Sequence, residues 1–453
     1  MASPLLHSFY IFNSSYGPKE GEEIKKVLYY YPQTASVDVK CTDVGLSEAM
    51  IKFVETFSDK PCQAIHTLKQ RHLYFEPEPG FWIIMKLNIP CKKNAEDGDD
   101  YHDEEIHDKV YETVLRQSYE MFKLFMGSFV DILTKAHGDV TSLKQRLEHF
   151  YSRYLITLKL SQCDILDVYN GISWLPLDKN MYLRIQCLMN RLQAKYPQIQ
   201  YTTFLSNDYL VWSGVPQQDM RVLYQYLITS LFPAHYEQEI TSSGGVKRNF
   251  TNENFGQFIT GSAVAAEDSK PSRLPRVYIN VDGSLVEFHL LVYRALSATV
   301  CALIKGSTSV SLSFRKKFDA DLGPSLTELA SELLQGYPQK PTGGDMTIKY
   351  IYFNHMNLAT KTTVHVDARK TRLVNVPLEI LSTVTDLNSH LRSSLHDTEC
   401  MVRTATDYWL VCKKSDSREL YVLISDKNAN LTTIDEEVKR LCNTQFTNMF
   451  HTD

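Results

Sequence analysis

The sequence predicts an α/β (α+β) protein of three consecutive units, each an antiparallel sheet flanked by helices. Three observations lead there. Its 453 residues exceed what one hydrophobic core fills and suit three domains of ordinary size. Strand-like apolar runs alternate with runs of helical period along the whole chain. The order strand, strand, helix, three strands, two helices, read in the first 160 residues, then partly recurs.

The first unit opens on the strand Ser8–Asn13, closed by the Gly17-Pro18 turn and paired with Ile24–Tyr31. Leu46, Met50, Phe53, Val54 and Phe57 then recur at helical spacing, with Asp43 as the expected N-cap. One sheet face must be covered, so the stripe Leu46, Met50, Phe53 and Phe57 is expected to be core. Strands follow at Ala64–Leu68, His72–Phe75 and Phe81–Ile89, the last (FWIIMKLNI) apolar enough to be central. The charged run at 92–105, KKNAEDGDDYHDEE, lacks the ligand register of an EF-hand and is expected to be a solvated loop. Two helices close the unit, one from Ile106 and one on Leu143, Leu147, Tyr151 and Leu155, with Gly138 breaking the pattern between them.

The second unit begins with a helix on Tyr182, Ile185, Leu188, Met189 and Leu192, followed by strands Tyr201–Leu205 and Tyr209–Trp212. A helix from Gln217 to Phe232 stops at Pro233, and residues 234–275, without apolar period, are expected to be a long surface loop. Strand Val277–Val281 precedes Glu287–Ile304, whose later part, Ala295–Ile304, has helical character, and then a helix over Ser313–Leu334. The linker GYPQKPTGG (336–344) marks a boundary. The last unit has strand Ile348–Asn354, a helix over Leu378–Leu391, strands Cys400–Thr404, Tyr408–Lys413 and Leu420–Ser425, and a final helix from Ile434 to Phe450. The domains are therefore set at 1–162, 163–338 and 345–453.

The chemistry is mostly one of exclusion. A net charge of −5 offers no basic stripe for nucleic acid. The N-terminal MASPLLHSFYIF has no basic n-region or cleavage site, and no window reaches 18 apolar residues, so neither a signal peptide nor a membrane span is expected. Nine scattered cysteines, none spaced C-x-x-C, suggest a reducing, cytosolic setting without disulfides, and no metal site is expected. There is no P-loop, G-x-G-x-x-G, H-E-x-x-H or G-x-S-x-G motif. His66 and His72 fall on strands and have ordinary structural roles as the expectation. Covalent catalysis and a cofactor are thus not expected.

Longer strings carry a resemblance. FYIFNSSYGPKEGEE (9–23), VGLSEAMIKF (44–53), KVYETVLRQSYEMFKLFMGSF (109–129), GISWLPLDK (171–179), YIYFNHMNLA (350–359), TDYWLVCKKSDSRELYVLI (406–424) and NTQFTNMF (443–450) run from end to end. In them the chain resembles the Ccz family of the Mon–Ccz complexes, tri-longin proteins related to inturned and the Hermansky–Pudlak syndrome proteins. The resemblance implies three longin-type domains, each with a five-stranded antiparallel sheet flanked by helices. It implies a subunit of a guanine-nucleotide exchange factor for the Rab of late endosomes (the Rab-seven class), paired with a Mon subunit through the first longin domains. A third, regulatory subunit on the second and third domains and peripheral recruitment to late endosome or lysosome membranes are also implied. The alternative is a non-catalytic tri-longin adaptor of a related trafficking complex.

The composite Rab or partner site is expected on the first helix and the edge strand after it. Its candidates are Asp43, Gly45, Ser47, Glu48 and Lys52, off the apolar stripe, together with Ile65, His66, Thr67 and Leu68, whose strand can pair edge to edge with a partner sheet. Lys247 and Arg248, Lys270 with Arg273 and Arg276, and Arg315, Lys316 and Lys317 are the candidate clusters for anionic lipid.

Overall fold

A computed structural model describes residues 4–19, 21–94, 98–102, 106–241, 255–261, 274–306, 310–336, 348–364, 376–393 and 397–446. They fall into two compact units, residues 1–168 and 169–453. In the first lie β1 (Leu5–Asn13), β2 (Val27–Tyr31), α1 (Val37–Glu55), β3 (Ala64–His66), β4 (Gln70–Glu78) and β5 (Phe81–Asn88). A hairpin of β6 (Cys91–Asn94) and β7 (Gly98–Tyr101) follows, then α2 (Asp108–Met126), α3 (Phe129–Lys135) and α4 (Val140–Thr157). The five-stranded sheet runs β2-β1-β5-β4-β3, so FWIIMKLN is its middle strand, as its apolar run predicts. One face packs Phe9, Tyr29 and Tyr151 ring to ring, with Phe122 and Phe129 behind them. The other face, of Tyr10, Phe12, Tyr30, Tyr74, Trp82 and Ile84, receives α1.

After the single turn α5 (Ile165–Tyr169), the second unit contains two sheets. The first is built from α6 (Lys179–Lys195), β8 (Ile199–Ser206), β9 (Tyr209–Ser213), α7 (Gln217–Tyr226), α8 (Phe232–Thr241), β10 (Gln257–Phe258), β11 (Arg276–Val281), β12 (Ser284–Ala295), β13 (Ala298–Lys305) and α9 (Leu312–Gly336). The other comprises β14 (Ile348–Asn354), β15 (Ala359–Thr362), α10 (Leu378–Ser393), β16 (Thr398–Arg403), β17 (Tyr408–Ser415), β18 (Arg418–Ser425) and α11 (Leu431–Gln445). Its order, β15-β14-β18-β17-β16, repeats that of the first unit strand for strand. The intervening sheet gives β9-β8-β13-β12-β11, the same order again, with β10 added beside β12. The repeat that the sequence only suggests is therefore explicit in topology.

Several expectations are corrected. Ser36, not Asp43, caps α1, its side chain accepting the Val39 N–H, so Asp43 sits inside the helix. Within 92–105, the residues facing each other across Cys91–Asn94 and Gly98–Tyr101 pair as a hairpin rather than a loop. Gly127, at φ 89°, ends α2 eleven residues before the Gly138 break, and α3 fills the interval. Pro233 does not stop the helix; it lies in α8, directly after a π-helical turn over Leu227–Leu231 that continues into it. That places 234–241 in a helix and not in the long loop expected over 234–275. Within the same stretch Gln257–Phe258 pair as a strand, while 242–254 and 262–273 lie outside the described residues. Ala295–Ile304 is no helix: Leu296, at φ 53°, turns β12 into β13, and ATVCALI reads as a continuous apolar run because both faces are covered. β15 was not foreseen in the sequence.

Residues 169–175 fasten the two sheets of the second unit together. Ile172 donates its N–H to Leu358 O at 2.7 Å and accepts from Thr360 N at 2.9 Å, beside β15. Leu175 N donates to Leu210 O, and Leu210 N to Ser173 O, beside β9. At its start the Tyr169 hydroxyl meets Glu419, which is 2% exposed and also accepts from Asn388 Nδ2 at 2.9 Å and Tyr421 Oη at 2.9 Å. His355 Nε2 lies 2.7 Å from the other carboxylate oxygen. Gly171 has no room for a side chain, since a Cβ there would stand 2.7 Å from Thr360 Cβ and 2.9 Å from the Phe353 ring. Gly171→Ala is therefore expected to cost about 1–3 kcal/mol, as overpacking does, and to lower the denaturant midpoint of the full chain. An unchanged midpoint would show that the strap yields freely.

Candidate functional site

The candidate site is the outer face of α1 with the β3 edge next to it. Its geometry follows from how α1 is attached. The sheet beneath carries large rings, with Tyr10 stacked on Tyr30 at 5.3 Å, and the helix buries three side chains against it. These are Val44, Ser47 and Ile51, all buried. Ser47 Oγ and Tyr10 Oη share a hydrogen bond of 2.7 Å. The Asp43 carboxylate accepts from Lys86 Nζ and from Tyr30 Oη, each at 2.7 Å. Lys86 comes from the middle of β5, and its side chain is 4% exposed, so a buried ion pair ties helix to central strand. Glu48 adds Lys26 and Lys52, both at 2.7 Å.

Burial tunes the groups in this contact. His72 is pulled down to about 4, by burial first and then by the nearby Lys86 ammonium. Burial pushes the Tyr74 phenol up to about 12 and holds that of Tyr10 well above its usual range.

The stripe expected to be core is the exposed one. Leu46, Phe53 and Phe57 are 44%, 61% and 77% exposed, and Met50 is half-buried. Val39, seven residues before Leu46, extends the stripe and is also exposed. Phe53 and Phe57 rest edge to face at 4.9 Å, packed against each other at the surface. Two stripes of helical period coexist in α1, and spacing alone does not say which one turns inward. Asp43 decides it, because its carboxylate has to reach Lys86.

The polar candidates divide accordingly. Ser47 is fully buried and faces the sheet, so it presents no surface; Asp43 and Glu48 are engaged in the ion pairs above. Gly45 and Lys52 lie exposed, and a Cβ at Gly45 would meet nothing within 4 Å. On the edge, β3 pairs among the described residues with β4 alone, Ala64 to Leu73, Ile65 to His72 and His66 to Arg71. Ile65 packs against the core under α1, so this edge and the helix stripe occupy one side of the sheet. Leu68 is 73% exposed. Thr67 is used in the turn, its N–H and hydroxyl both donating to Gln70 O, and His66 Nε2 lies 2.6 Å from Asp108. Val39 and the Asp43–Lys86 pair are the features that sequence reasoning missed; a lysine inside FWIIMKLN was the available signal, since a buried cation demands a partner.

The basic clusters are not uniform. Arg315 is buried, 6% exposed, and donates to Gly261 O at 2.9 Å, so it does not face solvent. Lys316 and Lys317 are exposed, and the largely exposed Arg276 stands 3.7 Å from Glu287. Lys247, Arg248, Lys270 and Arg273 lie outside the described residues. Among the described residues no three His, Cys, Asp or Glu side chains converge as metal ligands, and no helix is long and apolar enough to cross a membrane.

Family models match the chain in three places: the first longin domain of INTU, CCZ1 and HPS4 over residues 6–127, Intu longin-like domain 2 over 199–323 and Intu longin-like domain 3 over 344–441. Among known proteins, the vacuolar fusion protein CCZ1 homolog of Xenopus laevis is 43% identical over 465 residues, covering all of this chain and 98% of the relative. The homolog of Danio rerio is 44% identical, covering the whole chain and 96% of the relative. That of Dictyostelium discoideum is 29% identical, covering 99% of the chain and 98% of the relative.

Two outcomes test the attachment of α1. Asp43→Ala leaves Lys86 buried without its counter-charge, and is expected to cost about 3 kcal/mol in urea unfolding; a loss below 0.5 kcal/mol, roughly a surface pair's worth, would contradict it. Because His72 is neutral when folded and has an ordinary value when unfolded, its contribution is complete above about pH 6.5 and is lost as pH falls towards 4. His72→Gln is expected to flatten the stability profile across that window, and an unaltered slope would show that the imidazole takes no part.

Proposed function

Since the chain belongs to the CCZ1 family of longin-domain proteins, we propose that it is the Ccz-type subunit of a heteromeric guanine-nucleotide exchange factor for the late-endosomal Rab. The observation that carries this reading is the exposed stripe of Val39, Leu46, Phe53 and Phe57 beside the β3 edge, which meets no second strand among the described residues. A helix that turns phenylalanines outward while holding its sheet with polar groups is built to meet a second protein. In this reading the first longin domain pairs there with that of a Mon subunit, and the Rab binds across the pair. Gly45, Lys52 and Leu68 surround the apolar stripe as contacts for partner or Rab.

Exchange needs no covalent chemistry. The pair binds nucleotide-free Rab more tightly than the nucleotide-bound form, and a ~10³-fold faster release requires about 4 kcal/mol of that difference. Each subunit supplies half the surface, so neither is active alone. The second and third longin domains, over 163–338 and 345–453, are assigned to a regulatory subunit and to recruitment at late endosomal membranes. Lys316, Lys317 and Arg276 are the described basic residues available to lipid headgroups, at about 1 kcal/mol each.

The test is release of fluorescent GDP from the late-endosomal Rab by this chain, by its Mon partner and by the purified pair. Acceleration by the pair alone is the expected result. Phe53→Asp with Phe57→Asp, at positions that carry no core load, is expected to keep the thermal transition and weaken the pair by about 30-fold or more, as loss of a 2 kcal/mol anchor would. A well-formed pair that accelerates nothing would sink the exchange reading, and a pair that survives both substitutions would remove the α1 face from it.

A further inference from the structure

The segment Phe255–Gly261 sits on the second unit as a bound peptide sits on its receptor. β11, extended by Pro275, covers β12 as far as Leu290; beyond it the edge of β12 is paired by this segment instead. Gln257 and Phe258 oppose Arg294 and Tyr293, and Ile259 N donates to Val292 O at 2.8 Å. The Thr260 hydroxyl donates to Leu290 O and accepts from Val292 N, both at 2.9 Å. The five-strand order of the sheet is complete without this addition, and neither of the other two sheets carries such a strand among the described residues.

α9 supplies the other wall, and it is specific. Asp319, 4% exposed, accepts the N–H of Phe255 at 3.3 Å and of Gly256 at 3.1 Å, besides the Tyr293 hydroxyl. Arg315, the residue that charge alone assigned to a membrane patch, holds the Gly261 carbonyl and lies 5.6 Å over the Phe258 ring. That ring packs on Tyr293 at 5.0 Å and Phe318 at 6.0 Å. Gly256 is required, since a Cβ there would come within 2.5 Å of Arg294 O and Tyr293 Oη, and Gly323 makes way for Phe255, whose Cβ would be 2.3 Å from an added methyl. Main-chain pairing, two N–H groups on one carboxylate, one carbonyl on one guanidinium and a single aromatic anchor are the elements of strand-addition recognition.

We propose that the ledge between β12 and α9 is a peptide-docking groove, and that Phe255–Gly261 is a resident occupant that an extended Phe-Gly-X-Phe segment of a partner protein displaces. The groove selects this chemistry. Glycine is needed where the backbone passes Tyr293, the aromatic two positions later fills the anchor, and the buried Asp319 and Arg315 demand main-chain partners from whichever chain lies there. The inference is independent of the exchange reading, which uses the first longin domain.

The experiment uses the full chain and a fluorescein-labelled peptide of residues 254–261, Asn-Phe-Gly-Gln-Phe-Ile-Thr-Gly. Phe258→Ser with Thr260→Gly weakens the resident segment and leaves the groove intact, and circular dichroism checks that the fold is kept. That variant is expected to bind the peptide saturably, at least about tenfold more tightly than the unaltered chain, whose own segment competes at millimolar effective concentration. A peptide carrying Gly256→Ala is expected not to bind. A folded variant that takes no peptide would overturn the proposal, making the segment a fixed part of the domain. Should the variant not fold, hydrogen exchange on the unaltered chain decides: the Gly256 and Ile259 amides are expected to exchange well before that of Val300 in β13, and equal protection would also overturn it.

Discussion

The ion pair between Asp43 and Lys86 sets the first unit in order. A cation in the middle of the central strand cannot stay buried without a counter-charge, and α1 supplies it, with Tyr30 sharing the same carboxylate. Once Asp43 faces the sheet, the rotation of the helix is settled: Val44, Ser47 and Ile51 go inward, and Leu46, Phe53 and Phe57 go outward. A purely apolar contact would tolerate a turn of the helix about its axis; a paired charge does not. The surface offered to another protein is thus a consequence of what happens on the hidden side.

The same strand order in three sheets leaves each with two edges to manage. In the first unit β3 is three residues long, and its lateral side meets no other strand among the described residues. In the second unit, residues 172–175 line β9 and β15, while Phe255–Gly261 covers the remainder of β12. Connecting segments, rather than additional domain elements, do this covering. Their sequences look like loops because they contain Gly171 and Gly256, which close approach requires, and Gly261, which lies at φ 74°.

Much of the architecture was legible. Helical and alternating periods located most of the strands and helices, though not β6, β7, β10, β15, α3 or α5, and FWIIMKLNI announced a central strand. What failed did so for identifiable reasons. Ala295–Ile304 is sheathed on both faces and so lost its alternation. β15, with the polar ATKT, has only half an apolar signal and owes its place to the strap beside it. In the candidate site the helix and edge were legible but not the face, because Val39/Leu46/Phe53/Phe57 and Val44/Ser47/Ile51 are both acceptable stripes until Lys86 chooses. Arg315 stood beside two exposed lysines in sequence and yet points inward, which no charge pattern reveals.

The strap at 169–175 has a consequence for how the chain is divided. Its backbone completes the margins of two sheets at once, and Tyr169 is a ligand of the Glu419 cluster deep in the last one. A fragment that begins after it would carry both β9 and β15 with bare margins and Glu419 short of one donor. Exchange of the C-terminal sheet between relatives has to bring along a stretch encoded nearly two hundred residues upstream. The unit of inheritance here is not the contiguous domain but the domain together with its distant clasp.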